Sequence, residues 1–317
     1  MKLPPGLFTL IVLSLFLLGF FFDVQWVQLW HPRKARPMQT WQAIQTQRKL
    51  ILNSTCLKYN FTNLARRLNP LVAQQLFVVP SHQIIFCSIP KAGCSNWKRI
   101  FLLLEKNLTN ETSALDNENI NRSSVLMNIH KTPLLRRLIS YPPKQQLELL
   151  NNYTKMMFTR DPFERLVSAY RDKFLHSQQL HSISLINHIK AAFQKSEEKL
   201  TFQEFVSFLL KEKENNIHWR AMYKLCDPCL IHYDIIGKLE TINQDANGLL
   251  RSFGVPENLH YPTFKKYKTE PRTNEQITKE YLERLSEKQM EQLCKFYEMD
   301  FSLFNYSSNI RCFNQNW

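Results

Sequence analysis

Residues 82–98 read His82-Gln83-Ile84-Ile85-Phe86-Cys87-Ser88-Ile89-Pro90-Lys91-Ala92-Gly93-Cys94-Ser95-Asn96-Trp97-Lys98. The apolar run through Ile89 has the length and composition of a buried strand, and Pro90 ends it. From Trp97 to Leu104 the apolar residues fall at 97, 100, 101 and 104, one face of a helix. Between strand and helix lies a tight loop of small residues. Backbone N–H groups at a helix start point outward, and the helix dipole favours an anion there. Lys91 adds a full positive charge and Ser95 a hydroxyl donor. The segment therefore has the makings of a phosphate cradle, although it lacks the glycine and lysine spacing of a Walker loop. An ordinary strand-to-helix turn with a surface lysine is the other reading.

Outward from this stretch the pattern repeats. Tyr153 to Thr159 is a second short apolar strand, and Thr159-Arg160-Asp161-Pro162-Phe163-Glu164-Arg165-Leu166-Val167-Ser168 follows it. Asp161 suits a helix cap, Pro162 the first helical position, and Glu164 the second half of a capping box. Phe163, Leu166, Val167, Tyr170 and Phe174 make one apolar face. Arg160 stands just before that helix, where strand ends in open α/β sheets meet ligands, and an arginine there can grip phosphate in bidentate fashion. Ser168 lies about two turns into the helix, within reach of the same phosphate. Arg165 reads as structural, paired with Asp161 or Glu164. Tyr233 to Leu239 is a third strand, and helices dominate from Asn274 to Phe296. Strands alternating with helices predict an α/β fold with a mainly parallel sheet flanked by helices.

These two segments, Pro90 to Asn96 and Arg160 to Arg171, resemble the 5′-phosphosulfate and 3′-phosphate motifs of the Golgi carbohydrate sulfotransferases. The likeness is to the branch holding the chondroitin, dermatan and N-acetylgalactosamine 4-O-sulfotransferases and the natural-killer-epitope enzyme. It continues in His218-Trp219, Leu225-Cys226-Asp227-Pro228-Cys229, Tyr233-Asp234, Gly237-Lys238-Leu239-Glu240-Thr241, Arg272-Thr273, Asp300-Phe301 and Phe304-Asn305-Tyr306. The resemblance implies a P-loop-like sulfotransferase core and 3′-phosphoadenosine 5′-phosphosulfate (PAPS) as co-substrate, with no metal. It assigns Pro90, Lys91, Ala92, Gly93, Cys94, Ser95 and Asn96 to the 5′ end of the donor. Arg160, Asp161, Pro162, Phe163, Glu164, Arg165, Leu166, Val167 and Ser168 go to the 3′ end. The acceptor it implies is a sugar hydroxyl, with the 4-O position of N-acetylgalactosamine on glycosaminoglycan or glycoprotein glycans as the specific expectation. A catalytically inactive lumenal glycan-binding protein of the same fold is the alternative.

Sulfuryl transfer requires deprotonation of the acceptor, stabilisation of the leaving phosphate and alignment of the centres. By position and by the resemblance, Lys91 serves the leaving oxygen. His130, in Asn128-Ile129-His130-Lys131-Thr132, falls where related enzymes place a histidine and is the first candidate for the base. A solvated loop histidine is its other reading. His218 is the second candidate, and Glu164 a poorer one because the cap employs it. Arg272 either meets a phosphate or is an exposed arginine.

The 317 residues carry a formal net charge of +14, which favours an acidic polysaccharide or another anionic partner. No nucleic-acid motif accompanies the charge, so nucleic acid is not expected. Gly6 to Phe22 is a charge-free run of seventeen residues, preceded by Lys2 and followed by Asp23, Trp26 and Trp30. It reads as an uncleaved signal anchor, because Asp23-Val24-Gln25-Trp26 offers no small-residue cleavage site. The expected organisation is a cytosolic tail at 1–5, a transmembrane anchor at 6–30, a lumenal stem at 31–79 and a catalytic domain at 80–317. Arg33, Lys34 and Arg36 pull the other way under the positive-inside rule. Seven Asn-x-Ser/Thr sequons, at Asn53, Asn60, Asn107, Asn110, Asn121, Asn152 and Asn305, place the bulk of the chain in the lumen, as the Golgi resemblance does. Seven cysteines leave at least one thiol outside any intrachain disulfide, and Cys226 and Cys229 are expected to be structural partners in disulfides.

Overall fold

The computed structural model describes residues 40–61, 67–105, 129–130, 134–176, 180–193, 199–212, 216–255, 259–262, 270–307 and 312. The tail at 1–5, the anchor at 6–30, the sequons at Asn107, Asn110 and Asn121, and residues Asn128, Lys131 and Thr132 lie outside them. Among the described residues no helix is long and apolar enough to cross a membrane.

Among the described residues four strands form one sheet in the order β1-β2-β3-β4: Leu76–Val79, Ile84–Cys87, Thr154–Thr159 and Ile235–Lys238. The pairings β2–β3 and β3–β4 are parallel, with Phe86 opposite Met156 and Met156 opposite Ile235. The pairing of β1 with β2 is antiparallel, so the sheet is mixed. Leu76-Phe77-Val78-Val79 was expected in the stem, yet all four residues are buried. The short turn Pro80–His82 and the left-handed Gln83 (φ 52°) return the chain directly into β2. Both sheet faces are covered, which is why the strands are apolar runs without alternation. Phe77, Val79, Ile84, Phe86, Met156 and Phe158 pack on one side with Trp97 and Phe101. Val78, Ile85, Cys87, Met157 and Ile236 pack on the other.

Nine helices of eight or more residues occur among the described residues: α1 Trp41–Lys58, α2 Cys94–Glu105, α3 Pro143–Asn152, α4 Pro162–Tyr170, α5 Leu180–Ala192, α6 Phe202–Glu212, α7 Ile242–Ser252, α8 Glu275–Leu282 and α9 Glu287–Leu303. Helices α4, α6 and α9 share a third core around Phe163, Phe205, Trp219 and Tyr297.

Helix α1 belongs to this assembly, although its residues fall within the span read as stem. Its polar residues have a purpose the local pattern does not display. Strand β4 is a sheet edge, and an open edge exposes unpaired backbone groups. Gln45 Oε1 accepts from the Ile236 N–H at 2.9 Å, and Arg48 Nη1 donates to the Ile236 carbonyl at 2.7 Å. Arg48 also pairs with Asp245 of α7 at 2.8 Å, and Asp245 accepts from the Lys238 N–H at 3.0 Å. At the opposite edge, Val78 N–H of β1 donates to the Arg136 carbonyl.

Six cysteines pair: Cys56–Cys229, Cys87–Cys226 and Cys294–Cys312. Cys226 and Cys229 are thus structural, tying β2 and α1 to one short segment, and Cys94 remains a buried thiol.

Asp245 is 2% exposed and Arg48 12%, so deleting the carboxylate leaves a desolvated cation. Asp245→Ala is expected to cost about 3–5 kcal/mol, read as a lower midpoint in urea unfolding of the oxidised protein. Deleting residues 1–40 should leave a folded domain, and deleting residues 1–60 should not.

Candidate anion-binding site at the carboxyl ends of β2 and β3

After β2, Ser88 and Ile89 lead into a turn over Pro90–Gly93. Lys91 and Gly93 both take positive φ, 70° and 83°. At Gly93 a Cβ would run into the Tyr261 hydroxyl, which donates to the Gly93 carbonyl, so only glycine fits. At Lys91 the left-handed backbone costs about 1–2 kcal/mol for a residue with a Cβ. Strain of this kind concentrates at functional sites. Helix α2 starts at Cys94 and has no acidic residue in its first turn, so nothing offsets the positive end of its dipole. Ala92 and Cys94 are buried beneath the turn. Asn96 is pinned, donating to the Pro262 carbonyl at 3.0 Å and accepting from Arg99 at 2.8 Å.

After β3, Asp161 caps α4, its Oδ1 accepting from the N–H groups of Phe163 and Glu164 at 2.9 Å each, with Pro162 at the first helical position. The expected capping box is only half formed. The Asp161 N–H donates to Glu240 Oε1 at 2.7 Å, and Glu164 accepts from Arg160 at 3.2 and 3.3 Å. A cation next door competes better for the Glu164 carboxylate than a backbone N–H does. Arg160 also donates to the Lys91 carbonyl at 3.3 Å and to the Thr273 carbonyl at 2.6 Å. The two motifs, 69 residues apart, thereby meet through one guanidinium. Phe163, Leu166 and Val167 are buried in the helical core, and Ser168 is half-buried on α4.

Arg165 departs from its expected pairing with Asp161 or Glu164. Its guanidinium is fully buried and donates to three carbonyls: Pro90 at 3.0 Å, Arg220 at 2.8 Å and Ile217 at 3.0 Å. Its side chain passes beneath α4 instead of lying along the surface, so the local carboxylates are out of play.

The Lys91 ammonium faces Asp172 at 3.4 Å, and Lys173 meets the same carboxylate at 3.6 Å. Burial pulls the Lys91 pKa below its ordinary value, and Asp172 opposes that pull. Asp172 lies in Arg171–Leu175, where the helix continues as a π-turn, a form frequent at functional sites. Sequence reasoning passed over Asp172, although it stands four residues beyond Ser168, on the same face of a helix. Glu240 and Thr273 were also passed over as site residues, and their sequence distance gave no local signal.

His130 lies beside the loop, with Nε2 2.8 Å from the Ser95 hydroxyl and Nδ1 3.5 Å from the Lys98 ammonium. An ammonium only donates, so Nδ1 is the acceptor and Nε2–H faces Ser95. His218 lies on the 216–220 turn that Arg165 holds. Arg272 is exposed. Among the described residues no three His, Cys, Asp or Glu side chains group as a metal site.

The sulfotransferase family model matches residues 74–307, a span that starts before β1 and contains both loops. Carbohydrate sulfotransferase 8 of Mus musculus is 36% identical over 275 residues, 83% of this chain and 64% of that protein. Carbohydrate sulfotransferase 11 of Rattus norvegicus is 34% identical over 272 residues, 81% of this chain and 74% of that protein. Carbohydrate sulfotransferase 10 of Xenopus laevis is 31% identical over 277 residues, 82% and 75% of the two chains. The chain spans less than two thirds of the type 8 relatives, 64% of the mouse protein and 62% of the human one. No solved structure gives a significant match. With both loops inside the matched span, and the likeness running through most of the chain, the protein belongs to the sulfotransferase family.

Proposed function

We propose that the protein is a carbohydrate O-sulfotransferase that moves a sulfuryl group from PAPS to a sugar hydroxyl. The observation that carries this reading is the Arg160–Lys91 junction. At the carboxyl ends of neighbouring parallel strands, the Arg160 guanidinium donates to the Lys91 backbone carbonyl at 3.3 Å, so two cationic residues share one frame. A nucleotide phosphorylated at both its 5′ and 3′ positions needs two such grips in one frame.

In this reading the start of α2 and the Ser95 hydroxyl receive the 5′-phosphosulfate, and Arg160 with Ser168 receives the 3′-phosphate. Lys91 offsets the charge that develops on the leaving oxygen. The loops suit an anionic guest, because the first turn of α2 is free of acids. Asp172 and Glu164 already engage Lys91 and Arg160, so donor binding must compete with two carboxylates. That competition favours a multiply charged donor over a single inorganic anion.

The acceptor we infer is N-acetylgalactosamine, sulfated at its 4-O position, in a glycosaminoglycan or glycoprotein glycan. A net charge of +14 draws acidic polysaccharide toward the surface. The relatives' names say carbohydrate without naming the sugar, so the inference rests on the motif likeness. We place the domain in the Golgi lumen, anchored through residues 6–30. Three intrachain disulfides and four exposed sequon asparagines, Asn53, Asn60, Asn152 and Asn305, support an oxidising, glycosylating compartment.

The purified protein is expected to transfer label from PAPS to one member of a glycan panel. Failure to transfer together with failure to bind 3′-phosphoadenosine 5′-phosphate would end the proposal. Lys91→Ala should lower kcat about 100–1,000-fold. Arg160→Ala should instead weaken nucleotide binding about 10–100-fold in calorimetry, the loss of hydrogen bonds to a charged group. Expressed with its N-terminal segment in a secretory host, the protein should drop in apparent mass on treatment with peptide-N-glycosidase.

A further inference from the structure

We propose that His218 takes the proton from the acceptor hydroxyl, on a turn tied to the Lys91 loop by the buried Arg165. This rests on the sulfuryl-transfer reading above and names a residue within it.

Arg165 Nε binds the carbonyl just before Lys91, and Nη2 binds the carbonyl just before His218. One rigid planar group therefore fixes the backbone on both sides of the site. The turn that carries His218 is stiff in its own right. Asn216 Oδ1 accepts the His218 N–H at 3.0 Å, and the Asn216 carbonyl accepts the N–H groups of Trp219 and Arg220. Trp219 next to it is fully buried.

His218 Nδ1 is sealed from solvent and meets no hydrogen-bond partner among the described residues. Unmet buried groups in native proteins call for an explanation, and catalysis is one. With Nδ1 closed off, Nε2 is the nitrogen that meets a bound acceptor. Burial first, then the charges of Lys173 and Lys91, hold the imidazole neutral, its pKa down at about 3, with Asp172 opposing and Arg165 adding to the effect. A neutral ring has a lone pair to give. An anionic donor settling beside Lys91 offsets the lysine charges, which shifts the ring toward a stronger base while sulfate is present to be transferred.

His130 is the contrasting case. Both of its nitrogens already face partners inside the protein, with Lys98 donating to Nδ1 and Nε2–H toward Ser95. That arrangement orients the Ser95 hydroxyl and leaves no lone pair for an acceptor, making His130 a positioning residue.

The step balances without an added reactant. The acceptor oxygen forms a bond to sulfur while the bond from sulfur to the bridging oxygen of the donor breaks. The electron pair stays on that oxygen, opposite the Lys91 ammonium. The hydroxyl proton passes to His218 Nε2 and then to water. The products are a sulfate ester, 3′-phosphoadenosine 5′-phosphate and one proton.

The test compares His218→Ala and His218→Gln with wild type, full length and oxidised, at saturating PAPS. Both variants should lose about 100-fold or more in kcat, while nucleotide affinity by calorimetry stays within about threefold. Added imidazole should restore part of the turnover of His218→Ala, where the removed ring leaves room. His130→Ala should raise the KM for PAPS more than it lowers kcat. Turnover within about threefold of wild type in both His218 variants would overturn the assignment, as would a loss that follows nucleotide affinity and is not rescued by imidazole. A wild type that binds the nucleotide and sulfates no glycan defeats the transfer reading instead.

Discussion

A single buried guanidinium organises this protein's site. Arg165 is fully enclosed, and burial works against its charge. It is tolerated because its donors end on the carbonyls of Pro90, Ile217 and Arg220. Each of those carbonyls ends a stretch of chain that no strand or long helix supports: the turn after β2 and the segment before Met222. The arginine thus satisfies backbone acceptors that secondary structure leaves over. Substituting an apolar residue of similar length would leave three carbonyl acceptors without this donor and release both loops together.

Around that centre, charge is distributed by competition. Asp161 gives its carboxylate to the start of α4, Glu164 turns back to Arg160, and Glu240 arrives from beyond β4 to take the Asp161 N–H. Lys91 is matched by Asp172 across the loop. The cations are therefore held and pointed before any ligand is present, which limits the ordering that binding must impose. The same pairing means that binding exchanges one set of anions for another.

Much of this arrangement was legible in the chain. Ile84–Cys87 and Thr154–Thr159 are apolar runs that stop at loops with clear helix signals, and their helices begin at Cys94 and Pro162. Lys91, Arg160 and Ser95 were identifiable because anion chemistry demands those residue types at a strand end. What stayed hidden was non-local. Helix α1 displays a mostly polar face because Gln45 and Arg48 bind the backbone of a strand nearly two hundred positions on, and periodicity cannot report such a partner. Strand β1 has no alternation, since both of its faces are covered. Arg165 read as a structural partner of Asp161 or Glu164 because its true partners are carbonyls, and carbonyls carry no sequence code. His218 was the second candidate for the base from sequence, but the turn that fixes it showed only in the fold.

The disulfides carry a consequence for biogenesis. Cys56 must wait for Cys229, 173 positions later, and Cys87 for Cys226, 139 positions later. At ordinary translation speeds of about 5–20 residues per second, the first thiol of each pair stands unmated for roughly 7–35 s. During that interval Cys94 emerges only seven positions after Cys87 and competes as a wrong partner. Once α2 docks on the sheet, Cys94 is enclosed and the competition ends, so the order in which helix and sheet close decides how cleanly this chain oxidises.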